Sequence, residues 1–522
     1  MLIELVVFFI TALLTYAYYG HKKLKDYFDD RGIKYVPGLP IFGNTFNSMW
    51  KKKHMSEDID AVYKAFPGER YVGYMEGTKP IIILRDPEII KAVTVKDFDH
   101  FVDHKEIVPV EVEPLFGDSM FSMRGERWRD MRTTLSPAFT GSKMRLMMPF
   151  MTEISSNIVE YVKGQINEDI NVDDLIRRYT NDVIASAAFG LQVNSLKDKN
   201  NKFYTLGQQM FNFTFFSRIL FIFTITFPHY AKKLKLSIFP RETTTFFKNI
   251  VFKTMEHREK NNIERPDMIQ LLMEASKGKL KMEDEPNKDV AEVPEYDFKP
   301  KASTRVWSQN ELVSQVFLFF IAAFESSAST LSLLLHELAL NNEIQDKLYQ
   351  EIRDFQDKNG CLVYEKISEL KYLDCVLNES LRKWAVAIIL DRVCTKPYEL
   401  PPPREGGRPC TIKPGDILYS PVNSLHMDPN FFPNPEVFDP ERFSEENKRN
   451  IKPFTYLPFG IGPRVCIGLR FAMMELKVLL YHLVLNFQIN KCPKTSDPIE
   501  LAPEDVKIMA KGQSWVKFEL RK

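Results

Sequence analysis

Pro458-Phe-Gly-Ile-Gly-Pro-Arg-Val-Cys-Ile-Gly468 is the stretch from which the rest of the chain is interpreted. A cysteine this far along a chain is by default a small buried hydrophobe, but its neighbours argue otherwise. Gly460, Gly462 and Gly468 open backbone dihedrals closed to other residues, so a loop can fold tightly beside a planar ligand. Pro458 and Pro463 stiffen that loop and withhold amide donors at fixed points. Cys466 stands just ahead of Leu469-Arg-Phe-Ala-Met-Met-Glu-Leu-Lys-Val-Leu-Leu-Tyr-His-Leu-Val-Leu485, whose apolar residues recur at helical spacing. A sulfur at a helix N-terminus feels partial positive charge and unsatisfied amides, which favour thiolate over thiol. The loop is built to present a thiolate ligand.

Phe459, Gly462, Arg464, Cys466 and Gly468 resemble the pattern F-x-x-G-x-R-x-C-x-G of the cytochrome P450 haem-thiolate monooxygenases. On average residue usage, five such positions coincide in a chain this long roughly once in ten thousand tries. The resemblance implies a mainly α protein with the cytochrome P450 fold, a large helical domain and a small β-rich one, plus one N-terminal transmembrane helix. It also implies haem b as cofactor, Cys466 as the proximal iron ligand, and Phe459 and Arg464 as cofactor-binding residues.

Composition sets outer bounds. The chain has 522 residues, 44% of them hydrophobic, and a formal net charge of +1. Length alone suggests two to four domains, yet no low-complexity linker or internal repeat forces a split. Near-neutral charge argues against a dedicated nucleic-acid binder, whose footprint is basic. The six cysteines all lie in the last third without paired metal-ligand spacing, and five read as thiols in a reducing compartment.

Residues 2–19 are almost wholly apolar, with Glu4 the only charge, and His21-Lys22-Lys23 follow. About 19 helical residues span ~28 Å, close to the ~30 Å hydrocarbon core of a bilayer. A cleaved signal peptide is the alternative, but no basic region precedes the run and no A-x-A-like site ends it. The expectation is an anchor over residues 1–20, a proline-containing linker over 21–50, and a catalytic domain over 51–522 facing the cytosol. Pro37-Gly-Leu-Pro40 and Gly43-Asn44 punctuate the linker, while Tyr71-Val-Gly-Tyr74 and Pro80-Ile-Ile-Ile-Leu84 predict short strands.

Gly125-Glu-Arg-Trp128-Arg-Asp-Met-Arg132 opens a predicted helix on which Trp128 and Arg132, four apart, share a face. This is similar to the family's W-x-x-x-R element, which implies that both side chains bond a haem propionate, a carboxylate suited to a fork-shaped arginine pair. Residues 203–247 hold eleven phenylalanines, interrupted by Lys232, Lys233 and Lys235. Several suit a core. The resemblance makes the region a lid over the substrate, partly dipped in the bilayer. Residues 277–305 are charged and aperiodic, and read as a long exposed loop.

Ser308-Gln-Asn-Glu311 fits a capping box opening a helix that runs to about Leu340. Its centre, Phe319-Phe-Ile-Ala-Ala-Phe-Glu-Ser-Ser-Ala-Ser-Thr330, sets polar groups inside an apolar helix. Hydroxyls bonded back to helix carbonyls would account for them. The segment also resembles the family's oxygen-activation motif, usually A-G-x-D/E-T-T/S, which implies Glu325 and Ser326 as catalytic residues. Ala323 stands where glycine is usual and Ser326 where threonine is usual. Cleaving the O–O bond of dioxygen consumes protons, and a hydroxyl that holds a water, fed by an acid that reaches solvent, delivers them. Serine keeps the hydroxyl but lacks the methyl that limits threonine's rotamers, so looser delivery is expected.

Glu379-Ser-Leu-Arg382 places acid and base on one helical face. Its likeness to the family's E-x-x-R, with Phe438-Asp-Pro-Glu-Arg442-Phe443, implies a buried Glu379–Arg382–Arg442 cluster of structural role. Ala385-Val386 replace a proline frequent in the family. Arg392 matches a propionate-binding arginine, His426 reads as a structural histidine near a propionate, and Ile508 and Met509 fall on the final substrate-contacting turn.

The resemblance runs from anchor to final turn and is greatest to insect microsomal enzymes of detoxification. It implies a monooxygenase of the endoplasmic reticulum membrane acting on small lipophilic xenobiotics. Its electrons come from NADPH through a cytochrome P450 reductase, with cytochrome b5 as a further partner. Arg129, Lys452 and Lys477 are candidates for a basic reductase-docking face. Two other functions stay open: a biosynthetic hydroxylase of a hormone or fatty acid, and a haem-thiolate isomerase or ligand-binding protein that activates no oxygen.

Overall fold

Residues 309–340 form one uninterrupted helix, Gln309–Leu340, and its start is fixed as the sequence predicts. The Ser308 hydroxyl accepts from the Glu311 amide at 3.3 Å, and the Glu311 carboxylate accepts from the Ser308 amide at 2.9 Å, so each satisfies a backbone donor the helix leaves open. Glu311 also pairs with Arg127 at 2.8 Å. The helix is long and apolar enough to cross a bilayer. However, 78% of its apolar stretch is buried within the protein, so its apolarity belongs to a core.

The computed structural model describes residues 2–211, 215–226, 228–276, 305, 307–505 and 507–521. Apart from Arg305, the expected loop over residues 277–305 therefore lies outside the described residues, as does Val506 of the final turn. Among the described residues are nine strands: β1 (Tyr71–Glu76), β2 (Lys79–Leu84), β3 (Asp169–Asn171), β4 (Ile389–Val393), β5 (Tyr398–Leu400), β6 (Cys410–Ile412), β7 (Ile417–Pro421), β8 (Phe487–Asn490) and β9 (Trp515–Leu520).

The chain divides into two compact units. The first comprises Met1–Lys105, Glu379–Cys466 and Ile499–Gly512, and it is the β-rich one. Its main sheet has the order β1-β2-β7-β4. β2 pairs antiparallel with β1, Tyr71 opposite Leu84, and parallel with β7, Ile81 opposite Ile417. Ile81, Ile82, Ile83 and Leu84 are all buried, the unbroken apolar run of a strand covered on both faces. The N-terminal helix, Leu2–Asp29, belongs to this unit and does not stop at the lysines. It continues because Leu24 and Phe28, one turn apart, are buried. Phe28 stacks on Tyr35 at 5.1 Å, and a side chain at Gly73 would strike its ring. The proline-punctuated stretch therefore starts only at Pro37.

The second unit, Glu106–Asn378, Ile467–Pro498 and Gln513–Lys522, is helical, with the small sheet β3-β9-β8. The Gln309–Leu340 helix packs chiefly against the Val172–Phe189 helix and also against Leu469–Asn486. Phe189, Phe203, Phe247 and Phe320 join edge-on or tilted with centroids 4.5–6.1 Å apart, so part of the phenylalanine-rich region is core.

Candidate active site

In the first unit the cysteine loop is pressed against the turn Ala92–Lys96. Gly462 has φ 74°, and a Cβ there would stand 2.0 Å from the Thr94 carbonyl oxygen. Only glycine fits. Gly460 also has positive φ, at 75°, whereas Gly468 is an ordinary helix cap at φ −87° and needs no glycine freedom. The Cys466 amide donates to the Phe459 carbonyl at 2.9 Å, closing the loop, and Cys466 itself is exposed. Arg464 is anchored by its Nε donating to the Val102 carbonyl at 3.0 Å.

Arg392 on β4 is 3% exposed. One Nη donates to the Asp391 carbonyl at 2.7 Å, while its Nε is buried without a hydrogen-bond partner. Burial pulls the guanidinium down to about 10, opposed by the charge of Asp391. The Asp391 carboxylate is engaged elsewhere, by His104 Nδ1 at 3.0 Å and the Lys105 amide at 2.5 Å. Burial alone would raise Asp391, but these bonds hold it at about 2. An orphaned buried guanidinium donor calls for an anion.

The expected Glu379–Arg382–Arg442 cluster is present in this unit. Arg382 grips Glu379 with two 2.7 Å bonds, both side chains fully buried, and Arg442 approaches Glu379 at 3.5 Å. Arg382 also donates to the His426 and Pro435 carbonyls at 2.9 and 2.8 Å, and the Asp439 amide donates to Glu379 at 2.9 Å. His426 is no metal ligand: Nε2 accepts from the Leu457 amide at 2.8 Å, so Nδ1 donates to the Arg382 carbonyl at 3.1 Å. Burial, helped by Arg382, lowers it to about 3.

The second unit holds Trp128, 1% exposed on the Gly125–Leu135 helix, and Arg132 one turn on, half-buried. It also holds Glu325 and Ser326. From Leu312 to Ala339 the long helix is covered except at Ile321, Ala322, Ala323 and Ser326, an accessible stripe of mostly small side chains. The Ser326 hydroxyl donates to the Ala322 carbonyl at 2.5 Å, so its oxygen lone pairs remain to accept. Glu325 does not reach solvent as expected. It is 7% exposed and faces the Arg177 guanidinium at 3.4 Å.

Arg177, Asp173 and Glu475 were missed in the sequence. Asp173 and Arg177 sit one turn apart on the Val172–Phe189 helix, a spacing that reads as a surface pair. Glu475 was the stronger clue, a carboxyl amid the apolar Leu469–Asn486 helix. It is fully buried, receives the Ser327 hydroxyl at 2.6 Å, and burial raises it to about 8.

Among the candidates for a docking face, one needs correction. Lys477 cannot meet a partner protein: it has no exposed side-chain surface and pairs with Asp374 at 2.6 Å. Lys452 is exposed, and Arg129 is partly so, 3.4 Å from Glu126. Ile508 and Met509 are buried, at 0% and 5% exposure.

The cytochrome P450 family profile matches residues 34–515. The chain belongs to the cytochrome P450 family. It is 40% identical to probable cytochrome P450 9f2 of Drosophila melanogaster over 99% of this chain and 98% of that one. It is 40% identical to cytochrome P450 9e2 of Blattella germanica over 95% and 94% of the two chains. Cytochrome P450 6k1 of Blattella germanica is 36% identical, over 94% and 93%. This P450 is therefore a haem-thiolate monooxygenase, an oxidoreductase whose family carries haem and takes electrons from a redox partner. The residues fit the group: Cys466 offers an exposed sulfur, and the Arg392 guanidinium has an unused donor for a propionate.

Proposed function

We propose that this P450 is a membrane-bound enzyme that inserts one oxygen atom of dioxygen into lipophilic xenobiotics such as plant toxins or insecticides. It is anchored by residues 1–20 in the endoplasmic reticulum, with its catalytic part, residues 51–522, facing the cytosol. NADPH supplies the electrons through cytochrome P450 reductase, with cytochrome b5 as a second donor. The observation that carries the reading is the accessible Ser326 hydroxyl beside the buried acid Glu325 on an otherwise covered helix. The lipophilic substrate class is supported by the exposed Ile219, Tyr230 and Leu234 near Lys232, Lys233 and Lys235, an apolar surface with a basic rim. The xenobiotic assignment rests on the resemblance to insect microsomal enzymes.

Cys466 would ligate the iron of haem b, Trp128, Arg132 and Arg392 would hold its propionates, and Phe459 and Arg464 would help to bind it. When bound, the haem supplies the redox chemistry that activates dioxygen. The chain's own residues move the protons. Ser326 spends its hydrogen on the Ala322 carbonyl and so would accept one hydrogen from a water, leaving that water's other hydrogen for the reacting oxygen. Glu325, held by Arg177, replenishes them. Ser326 lacks the methyl of threonine that fixes a rotamer, and this chain therefore couples electron use to product loosely.

The test uses membranes holding the full chain, reductase and NADPH, with isotopically labelled dioxygen and a panel of plant toxins, insecticides, steroids and fatty acids. Expected is NADPH-dependent gain of one labelled oxygen, greatest among the toxins and insecticides, and more product per NADPH in Ser326→Thr. Preferred turnover of a steroid or fatty acid would assign a biosynthetic role. No oxygenated product from an intact haem-thiolate spectrum, in wild type and Ser326→Thr alike, sinks the monooxygenation of these classes.

A further inference from the structure

Along the long helix, burial is unbroken from Leu312 to Phe320 and stops at Ile321, where the uncovered stripe begins. Within the covered part stands one fully buried carboxamide, Gln315. By helical spacing Glu311, Gln315, Ala322 and Ser326 share one face. Both donors of Gln315 are used: Nε2 donates to the Asp118 carbonyl at 2.9 Å and to the Glu311 carbonyl at 2.7 Å. Its Oε1 accepts from the Met120 amide at 2.7 Å. The chain at 118–120 is thereby tied to the same face that carries Ala322 and Ser326. Two more anchors hold this strap, residues 113–121. Arg127 joins the Asp118 carboxylate at 2.7 Å to Glu311 at 2.8 Å. At the other end Glu113, 3% exposed, accepts from the Ser237 hydroxyl at 2.5 Å and from the Ile238 and Phe239 amides at 2.5 and 3.0 Å. Between them Gly117 passes so near Val110 that a Cβ would stand 2.4 Å from its Cα.

Apolar contacts alone would let such a strap slide along a helix, since they carry no direction. Hydrogen bonds fix distance and angle, and opening these would strand the Met120 amide and the Asp118 carbonyl in a buried place, which is costly. We propose that Gln315 is a positioning residue for substrate size. It fixes residues 118–120 across the long helix as the end wall of the stripe Ile321–Ser326, and that wall limits the length of substrate the stripe accepts. Gln315 is itself covered and acts through the strap. A side chain of similar volume without an amide fills the same space and fixes nothing.

This inference rests on the reading that Ser326 stands beside the reacting oxygen, and its test separates the two. Full-length holoenzyme is titrated with N-alkylimidazoles from methyl to dodecyl, whose nitrogen binds the haem iron and whose tail lies where a substrate would. The Soret shift gives each Kd. Wild type is expected to bind more tightly with each added carbon up to a cut-off length and no more tightly beyond it. In Gln315→Met the cut-off moves to longer tails. The dodecyl member then binds about tenfold more tightly, the scale on which a fitted apolar pocket tells one methylene from none. The N-methylimidazole Kd stays unchanged, and amide exchange rises in residues 113–121 alone. Gln315→Glu, which still accepts from the Met120 amide, falls between. If Gln315→Met does not accumulate as holoenzyme, Arg127→Gln, altering a side chain 33% exposed, is expected to move the cut-off the same way. An unchanged cut-off despite faster exchange overturns the wall. So does equal weakening of every member, N-methylimidazole included, which marks Gln315 as merely structural. Ala322→Phe tests the underlying reading and is expected to block every tail longer than methyl. Indifference to Ala322→Phe removes the stripe from the substrate's path and overturns both readings, whereas blocked tails with a cut-off indifferent to Gln315 remove only the wall.

Discussion

Arg382 has no exposed side-chain surface, and its guanidinium is consumed by Glu379 and by the carbonyls of His426 and Pro435. That fork serves a carboxylate and two chain segments at once, which a lysine's point charge cannot do. Removing it strands Glu379 in the core, a loss of about 3–5 kcal/mol. Arg382→Ala and Arg382→Lys should therefore both fail to accumulate protein with a haem-thiolate spectrum, while Lys452→Ala on the surface keeps it. Normal haem content with unchanged Tm in Arg382→Ala would remove the cluster from any role in holding the cysteine loop. Glu379 and Arg382 were legible in sequence because they lie three apart on one helix. His426 was legible only in part. Its structural nature showed, but its Leu457 amide and Arg382 carbonyl partners come from segments that no local pattern brings together.

Glu475 plays a comparable part between elements, where its carboxyl receives Ser327 of the long helix and its carbonyl receives the Tyr179 hydroxyl at 3.0 Å. Its second oxygen, Oε1, is buried with no hydrogen-bond partner, which favours the protonated acid. Burial lifts the group from 4.5 to about 8. Between those values the folded state binds the proton and the unfolded chain does not, so stability falls as pH rises through the window and levels off above it. Glu475→Gln keeps the bond to Ser327 without that cost. It should raise stability at neutral pH by on the order of 3 kcal/mol and change little at the acid end. Denaturant titrations at several pH values check this, and parallel curves for the two proteins would mean Glu475 is not protonated in the fold. The start of the long helix was readable, since Ser308 and Glu311 cap it, whereas its uncovered residues, Ile321, Ala322, Ala323 and Ser326, are set by packing against distant segments. The phenylalanines of residues 203–247 were not readable, because aromatic density looks the same in a lid and in a core. Only Phe189 and Phe320, distant in sequence, decide that Phe203 and Phe247 are core. Lys477 failed for the same reason, its partner Asp374 lying on another helix.

At the scale of the molecule, the N-terminal helix has two unlike halves. Val7, Phe8, Leu14, Tyr16, Tyr18 and Tyr19 are more than half exposed, whereas Leu24 and Phe28 are buried in the first unit. A helix that is apolar and uncovered at one end and packed at the other suits the anchor proposed for residues 1–20. Because the helix is continuous through Asp29, no flexible joint separates the two halves. The cut that frees the protein therefore differs from the cut that damages it. Removing residues 1–20 should shift the protein toward the soluble fraction with Tm essentially unchanged. Removing residues 1–29 also discards Phe28 from against Tyr35 and Gly73, and loss of a buried phenylalanine costs about 3–5 kcal/mol. Fractionation and thermal melts of the two truncations decide the matter. If the shorter truncation stays with the membrane after a high-salt wash, attachment does not depend on the helix, and the exposed Ile219, Tyr230 and Leu234 must carry it. If both truncations melt alike, Leu24 and Phe28 are not part of the fold's support.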